Sequence, residues 1–269
     1  MTPEQLLGQG RKTRIIAIAN QKGGVGKTTT AINLATALAA VHQNVLIVDL
    51  DPQGNASTGL GIPHEQRVVN SYHVLIGEAE LEDAVIETDI PGLALVPSGL
   101  DLSGAEIELV DVDRREFRLR ERLVMSAPAY DYVLIDCPPA LGLLTLNALV
   151  AAQAVLVPLQ CEFFALEGVS QLMKTIEGVK RSFNPGLDIQ GIVLTMFDKR
   201  NNLSGAVAQD VRDYFGDKVY KTVIPRNVRV SEAPSHGRPV IVYDMDCAGS
   251  QAYLNLAGEV IHRERGLHA

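Results

Sequence analysis

The sequence predicts an α/β protein in which a mostly parallel, twisted β-sheet carries helices on both faces. Short aliphatic runs alternate along the chain with longer helical patterns. The runs are apolar throughout, which is typical of parallel strands buried on both faces. Acidic residues and a glycine-rich stretch follow several of these runs, and parallel sheets bind their ligands beyond the carboxyl ends of their strands. We therefore expect the chemically active residues to gather at one edge of the sheet.

The predicted elements follow one another without a linker, repeat or low-complexity segment. Strands are predicted at 14–20, 44–51, 92–98, 130–138, 154–160 and 188–198. Helices are predicted at 27–40, 113–127, 141–152, 165–181, 203–215 and about 249–264. Residues 52–110 are rich in Gly, Pro and Asp, and we expect them to be mobile near the site. We predict one domain over residues 13–269, preceded by a flexible segment at 1–12.

Composition narrows the class of protein. The chain has 269 residues, enough for a substantial core, and no apolar run approaches the length of a membrane span. Its first twelve residues lack the features of a secretion signal, so we expect a cytoplasmic protein. The cysteines Cys137, Cys161 and Cys247 are widely spaced and form no C-x-x-C pair, which indicates reduced structural thiols rather than a metal site.

Charge is unevenly distributed along the chain. The net charge of −8, taken alone, argues against a nucleic-acid partner. Residues 199–238, however, hold eight Lys or Arg and four Asp or Glu, a net +4, so the remainder carries −12. Because salt screens charges beyond about 8 Å, an acidic protein can still present a basic face. An ordinary solvated surface is the alternative interpretation of this segment.

Residues 21–30, QKGGVGKTTT, nearly fit the phosphate-binding pattern G-x-x-x-x-G-K-[ST]. They follow a predicted strand and open a predicted helix, although Gln21 stands where the first glycine belongs. The glycines allow a tight turn that brings backbone N–H groups and the helix N-terminus to the phosphates. This context predicts a P-loop NTPase-like fold. The candidate nucleotide-binding residues in the loop are Lys22, Gly23, Gly24, Val25, Gly26, Lys27, Thr28 and Thr29.

Individual side chains around this loop suggest roles in phosphate chemistry. Lys27 would reach the β- and γ-phosphates, and the Thr28 hydroxyl would help to hold Mg²⁺. Asp136 ends an apolar run, where a carboxylate holds Mg²⁺ directly or through water. Asp51 opens a bent Pro- and Gly-containing loop that could place it near an attacking water. Asp51 is also a candidate metal residue, together with Thr28 and Asp136. Asp49 is interpreted as structural or as a partner behind the metal ligands.

Lys22 is a second lysine at the entrance of the loop, and two interpretations of it stay open. Burial of an ammonium group without an anion is costly, so Lys22 could project outward to a phosphate held by a neighbouring subunit. A residue supplied in trans in this way would stabilise charge during phosphoryl transfer. A solvent-exposed lysine without that role is an equally good interpretation.

Longer motifs carry a resemblance to a known family. They read KGGVGKTT at 22–29, VDLDPQGNASTGLG at 48–61, DYVLIDCPPALGLLTLNAL at 131–149 and VYKTVIPRNVRVSEAPSHGRPV at 219–240. In this order they resemble the deviant phosphate-loop ATPases of the ParA/MinD group, and closely the chromosomal ParA/Soj proteins. The resemblance runs from Arg14 to about Gly258.

The resemblance implies an ATP- and Mg²⁺-dependent ATPase that segregates DNA. Two subunits would sandwich two ATP molecules, with Lys22 reaching the partner's nucleotide and Asp51 needed for hydrolysis. Pro225, Arg226 and Asn227 would lie at the adenine.

The family's partners are implied in the same way. Arg200 and Arg229 would contact double-stranded DNA without reading its sequence. A ParB-type centromere-binding protein would stimulate the weak hydrolysis and release the homodimer from DNA. The protein would then be associated with the nucleoid, and no membrane partner is expected.

Two alternatives compete with this interpretation. A MinD-like, membrane-associated ATPase that positions the division site would need a C-terminal amphipathic helix, whereas the apolar residues there are typical of core packing. They are Tyr253, Leu254, Leu256, Val260 and Ile261. An iron–sulfur ATPase of the nitrogenase iron-protein type would need paired cysteine ligands, and neither Cys137 nor Cys161 has such spacing.

Overall fold

One eight-stranded sheet runs through the computed structural model, which describes residues 13–126, 129–162 and 165–267. Its order is β3-β4-β2-β5-β1-β6-β7-β8. The strands are β1 (Arg14–Ile18), β2 (Val45–Asp49), β3 (Ile86–Glu87), β4 (Leu93–Val96), β5 (Tyr132–Asp136), β6 (Ala154–Gln160), β7 (Asp188–Phe197) and β8 (Val219–Pro225). Only the β3–β4 pair is antiparallel among these described strands. The predicted flexible segment 1–12 lies outside the described residues.

Helices cover both faces of the sheet, as the apolar strands require. The helices are α1 (Lys27–Ala40), α2 (Asn55–Gly59), α3 (Ser71–Ile76), α4 (Leu102–Glu108), α5 (Arg118–Ser126), α6 (Leu143–Ala151), α7 (Ala165–Ser182), α8 (Asn202–Phe215), α9 (Val228–Glu232), α10 (Val240–Tyr243) and α11 (Ala248–Leu267). Helices α3 to α8 supply one apolar layer, and α1, α10 and α11 supply the other. This confirms the predicted α/β class with helices on both faces.

Strand register brings the predicted site residues to one edge of the sheet. In the β1–β5 pair Ile18 lies opposite Asp136, and in the β2–β5 pair Asp49 lies opposite Asp136. These residues end their strands, so the loops that follow begin side by side. The phosphate loop after β1 and the Asp51 loop after β2 therefore flank Asp136.

The sequence prediction missed several elements. Strand β8 was not predicted, because Lys221 and Thr222 interrupt its apolar run and four of its seven residues are not fully buried. Residues 52–110 contain three helices, α2, α3 and α4, and the short antiparallel strand β3 in addition to the predicted strand. Polar helix caps shape this segment: Asn70 accepts a bond from the Tyr72 N–H at 2.9 Å, and Asp101 caps α4. Such short elements lack the long periodicity on which prediction depends.

Candidate active site

The phosphate loop, Gln21–Gly26, turns directly from β1 into α1. Gly24 and Gly26 have φ of 74° and 88°, in the left-handed region that favours glycine. Between them Val25 is buried, and its carbonyl accepts a hydrogen bond from the Thr195 hydroxyl at 2.8 Å. The loop is thus fixed to the end of β7 at its centre. Thr28 and Thr29 lie in the first turn of α1.

Lys27 is a buried cation at the first position of α1. Only 7% of the residue is exposed, and its Nζ donates to the Lys22 carbonyl at 3.2 Å. Burial lowers the pKa of Lys27, and the nearby carboxylates, Asp136 first, oppose this. A desolvated ammonium group at a helix N-terminus favours an anionic ligand, because the anion replaces the lost hydration.

Asp136 is fully buried at the end of β5. Among the described residues, neither carboxylate oxygen has a hydrogen-bond partner of normal geometry. Burial raises the pKa of Asp136, Asp49 across the strand pair raises it further, and the neighbouring Thr28 hydroxyl and Lys27 lower it. An orphaned carboxylate beside a hydroxyl fits Mg²⁺, which takes oxygen ligands.

The described residues contain no group of three or more His, Cys, Asp and Glu side chains able to hold a metal. Mg²⁺ requires none, since one or two carboxylates together with phosphates commonly hold it. Thr28 and Asp136 are therefore the residues that fit the ion best.

Asp49 organises the loop that carries Asp51. One Asp49 oxygen accepts bonds from the Ser57 N–H at 2.8 Å and the Ser57 hydroxyl at 2.7 Å. The other oxygen accepts from the Asp51 N–H at 3.3 Å. These bonds favour the structural interpretation of Asp49. Asp51 itself is buried, with 8% of the residue exposed. Its Oδ1 accepts a hydrogen bond from the Gln53 N–H at 3.0 Å, and its Oδ2 takes no part in this turn.

Lys22 lies at the surface and forms an ion pair with Glu162 of its own chain. Its side chain is 48% exposed. The Lys22 N–H donates to the Asn20 side chain at 3.0 Å, which fixes the backbone there. Sequence reasoning missed Glu162, because nothing in its local sequence reveals a partner so far away along the chain. The role of Lys22 in trans stays a prediction.

Pro225 and Asn227 stand at the same edge, beyond β7. Pro225 pairs with Phe197 in the β7–β8 register, and the Arg226 N–H donates to the Phe197 carbonyl at 3.0 Å. The Asn227 side chain caps α9 by accepting from the Arg229 N–H at 2.8 Å. The segment is thereby held next to the strand that supports the phosphate loop.

Arg200 and Arg229 follow β7 and β8 and are exposed. Arg200 donates two hydrogen bonds to Asp198, at 3.0 and 2.9 Å, and these hold the pKa of Asp198 at about 2. Arg229 contacts Glu232 at 3.1 Å and Asp244 at 3.3 Å. Asp198 and Asp244 lie outside the segment 199–238, so counting charge in that segment overstated its local positive character.

A glycine loop between a strand and a helix, a buried lysine at that helix and a carboxylate ending the neighbouring strand define a P-loop nucleoside triphosphatase. A family described as an AAA domain matches residues 13–189. The chromosome partitioning protein ParA of Caulobacter vibrioides is 64% identical over 258 residues, covering 95% of this chain and 97% of that protein. The chain belongs to the ParA/Soj family of ATPases.

Solved structures with bound nucleotide resemble this fold. A Mycobacterium smegmatis cobyrinic acid a,c-diamide synthase with an ATP analogue and magnesium is 38% identical, with a TM-score of 0.83, covering 94% of this chain and 96% of that one. The septum site-determining protein MinD of Pyrococcus horikoshii, complexed with Mg-ADP, is 30% identical, with a TM-score of 0.78, covering 96% and 99%.

The structure offers little support for a MinD-like membrane-associated ATPase or for an iron–sulfur ATPase. Tyr253, Leu256 and Val260 of α11 are buried in the core, so they are not available to a lipid surface. Among the helices described, none is both long and apolar enough to cross a bilayer. Cys137 and Cys161 are buried, and burial raises the pKa of both thiols, that of Cys161 to about 11. These two cysteines pack as small apolar residues.

Proposed function

We propose that this chain is an ATP-dependent DNA segregation ATPase, with residues 13–269 acting as one ATPase domain. The orphaned, fully buried carboxylate of Asp136 beside the buried Lys27 carries the proposal for ATP and Mg²⁺. A bound Mg²⁺ would neutralise charge on the phosphates. Similarity to the Caulobacter partitioning protein supports the cellular role.

Each residue of the site has a separate role in ATP hydrolysis. Lys27 and the loop N–H groups bind the phosphates, and Thr28 and Asp136 hold the metal. Asp51, whose backbone N–H is held by Asp49, would orient the attacking water and receive its proton. Pro225 and Asn227 would lie at the border of the adenine site.

ATP binding would build the dimer that recognises DNA. Lys22, half-exposed at the loop entrance, would leave Glu162 for the phosphates held by the second subunit. An exposed ion pair contributes only about 0–1 kcal/mol, so this exchange costs little. Dimerisation doubles the arginines presented to DNA, which makes the affinity depend on the nucleotide.

DNA binding is assigned to Arg200 and Arg229. Both follow the carboxyl ends of strands at the edge that also holds the nucleotide site. Arginine contacts to phosphate carry no sequence information, so the binding would be non-specific. A ParB-type centromere-binding protein would stimulate hydrolysis and release the dimer, and the protein would work in the cytoplasm on the nucleoid.

Binding to random-sequence duplex DNA tests this function. We would use Asp51→Ala, which should bind ATP without hydrolysing it, and compare ATP with ADP at low and moderate salt. We expect tight binding with ATP only, weakening steeply as salt rises. Absence of DNA binding by a variant that dimerises with ATP would refute the DNA-carrier function and favour a membrane or protein scaffold.

A further inference from the structure

Arg67 is a buried arginine that the chemistry above does not use. Only 6% of it is exposed. It follows the loop from Asp51 to Ile62, here called the Asp51 loop. Burial lowers the pKa of Arg67, with Asp49 and Glu65 opposing this. A buried guanidinium is costly unless its donors are satisfied, so its bonds identify what it does.

All five N–H donors of a guanidinium are accounted for at Arg67. Nε and Nη2 donate to the Ile62 carbonyl at 3.1 and 2.6 Å, and Nη2 also donates to the Thr58 hydroxyl at 2.9 Å. Nη1 donates to the carbonyls of Gly54 and Ser98, each at 3.4 Å. The bonded acceptors include no carboxylate.

These acceptors span the Asp51 loop. Gly54 lies near its start, Thr58 in its middle and Ile62 at its end. Ser98, which follows β4, is the fixed point: its hydroxyl donates to the Asp51 carbonyl at 2.8 Å and its N–H donates to the Ser57 hydroxyl at 3.0 Å. Arg67 therefore joins three points of the loop to the neighbouring strand end.

The packing at Gly54 shows how closely the parts fit. Gly54 has φ of 60°, and a Cβ added there would lie 2.7 Å from Arg67 Nη1 and 2.9 Å from the Ser98 carbonyl oxygen. The Gly54 backbone thus packs directly against both the guanidinium and the end of β4, with no room for a side chain. Small displacements of any one part would move the others, because packed interiors deform little.

We propose that Arg67 is a positioning residue that holds the Asp51 loop in the conformation needed for hydrolysis. Its donors are all engaged, so it does not touch the substrate. Without it, the loop keeps the Asp49 and Ser98 bonds at Asp51 and Ser57 but loses its bonds to the guanidinium at Gly54, Thr58 and Ile62. The inference rests on the role of Asp51 proposed above.

Arg67→Ala tests this, with Arg118→Ala as the matched control. Arg118 also donates to backbone carbonyls, those of Leu75 at 3.0 Å and Ile76 at 2.9 Å, but in the helical layer of α3 and α5. We expect Arg67→Ala to lower kcat for ATP about tenfold to a hundredfold, as a displaced catalytic group does. ATP affinity should change less than about threefold, because the phosphate loop is untouched. Arg118→Ala should retain the wild-type kcat.

Two further readouts separate positioning from general destabilisation. Hydrogen exchange without nucleotide should speed up in residues 54–62 of Arg67→Ala but not in the phosphate loop. Added guanidinium should restore kcat, whereas sodium chloride at the same concentration should not. If Arg67→Ala does not fold, Arg67→Lys replaces it. Arg67→Lys should lower kcat and speed up hydrogen exchange in residues 54–62, each by a smaller factor.

A wild-type kcat in folded Arg67→Ala or Arg67→Lys, alongside an inactive Asp51→Ala, would overturn the inference. Unchanged exchange in residues 54–62 would do the same. Failure of the proposed function looks different: Asp51→Ala would itself hydrolyse ATP at the wild-type rate.

Discussion

Replacing Arg200 with glutamine gives a quantitative test of the proposed DNA-binding surface. The side chain is 88% exposed, and the substitution removes its charge without opening a cavity. Each phosphate contact contributes about −0.9 to the slope of log affinity against log salt. A dimer loses two such contacts, so the slope should become shallower by about 1.8.

That slope converts to a measurable difference in affinity. A fourfold rise in salt, from about 50 to about 200 mM, should weaken the wild type about twelvefold more than Arg200→Gln. The assay is fluorescence anisotropy with random-sequence duplex DNA, with ATP and with hydrolysis blocked by Asp51→Ala in both proteins. Affinity at low salt should also fall, uniformly across DNA sequences.

Arg114→Gln is the control for this experiment. Arg114 is 70% exposed and pairs with Glu121 at 3.0 Å, a setting close to that of Arg200 with Asp198 at 2.9 Å. It lies outside the segment 199–238, so its loss should leave the salt slope unchanged. An unchanged slope in Arg200→Gln, or an equal change in Arg114→Gln, would refute the assignment of phosphate contact to Arg200.

Two further predictions concern the nucleotide site. Lys22→Gln should abolish ATP-dependent dimerisation in light scattering while sparing monomer binding of ATP, and an unchanged dimer fraction would contradict the role in trans. Burial raises the pKa of Asp49 from 3.8 to about 6, so its contribution to stability is fully present below about pH 4 and is lost as pH rises through 6. The urea midpoint of nucleotide-free protein should therefore fall mainly between about pH 4 and 6. Burial and Asp49 also raise the pKa of Asp136, so Asp136 adds to this fall and Asp136→Asn should flatten it; an unaltered profile would argue against that contribution.

Much of the fold could be predicted because buried parallel strands leave a clear pattern. Four of the predicted strands became β1, β2, β4 and β5 with slightly shorter bounds, β6 has the predicted bounds 154–160, and β7 runs over 188–197. Strand β8 was missed because only three of its seven residues are fully buried, so its sequence lacks a continuous apolar run. The phosphate loop was identifiable for a different reason, since its glycines, lysine and threonine act within a few residues of one another.

Contacts between distant residues could not be predicted in this way. Glu162 meets Lys22, and Asp244 meets Arg229, only after the chain has folded. Arg67 gives no local signal, since an isolated arginine in a loop is normally solvated. Its role depends on the carbonyls of Gly54, Ile62 and Ser98 and on the Thr58 hydroxyl. Such partners are set by the sheet order rather than by local sequence.

Asp49 lies opposite Asp136 in the β2–β5 pair, and this affects the stability of the fold without a ligand. Two carboxyl groups at adjacent ends of central strands make the interior locally frustrated, because natural cores otherwise avoid unpaired acids. One member satisfies itself through Ser57, and the other is left without a partner of normal geometry within the described chain. Binding of Mg²⁺ and nucleotide would give the Asp136 carboxylate its missing partner. The free energy of unfolding should therefore rise with the occupancy of the site.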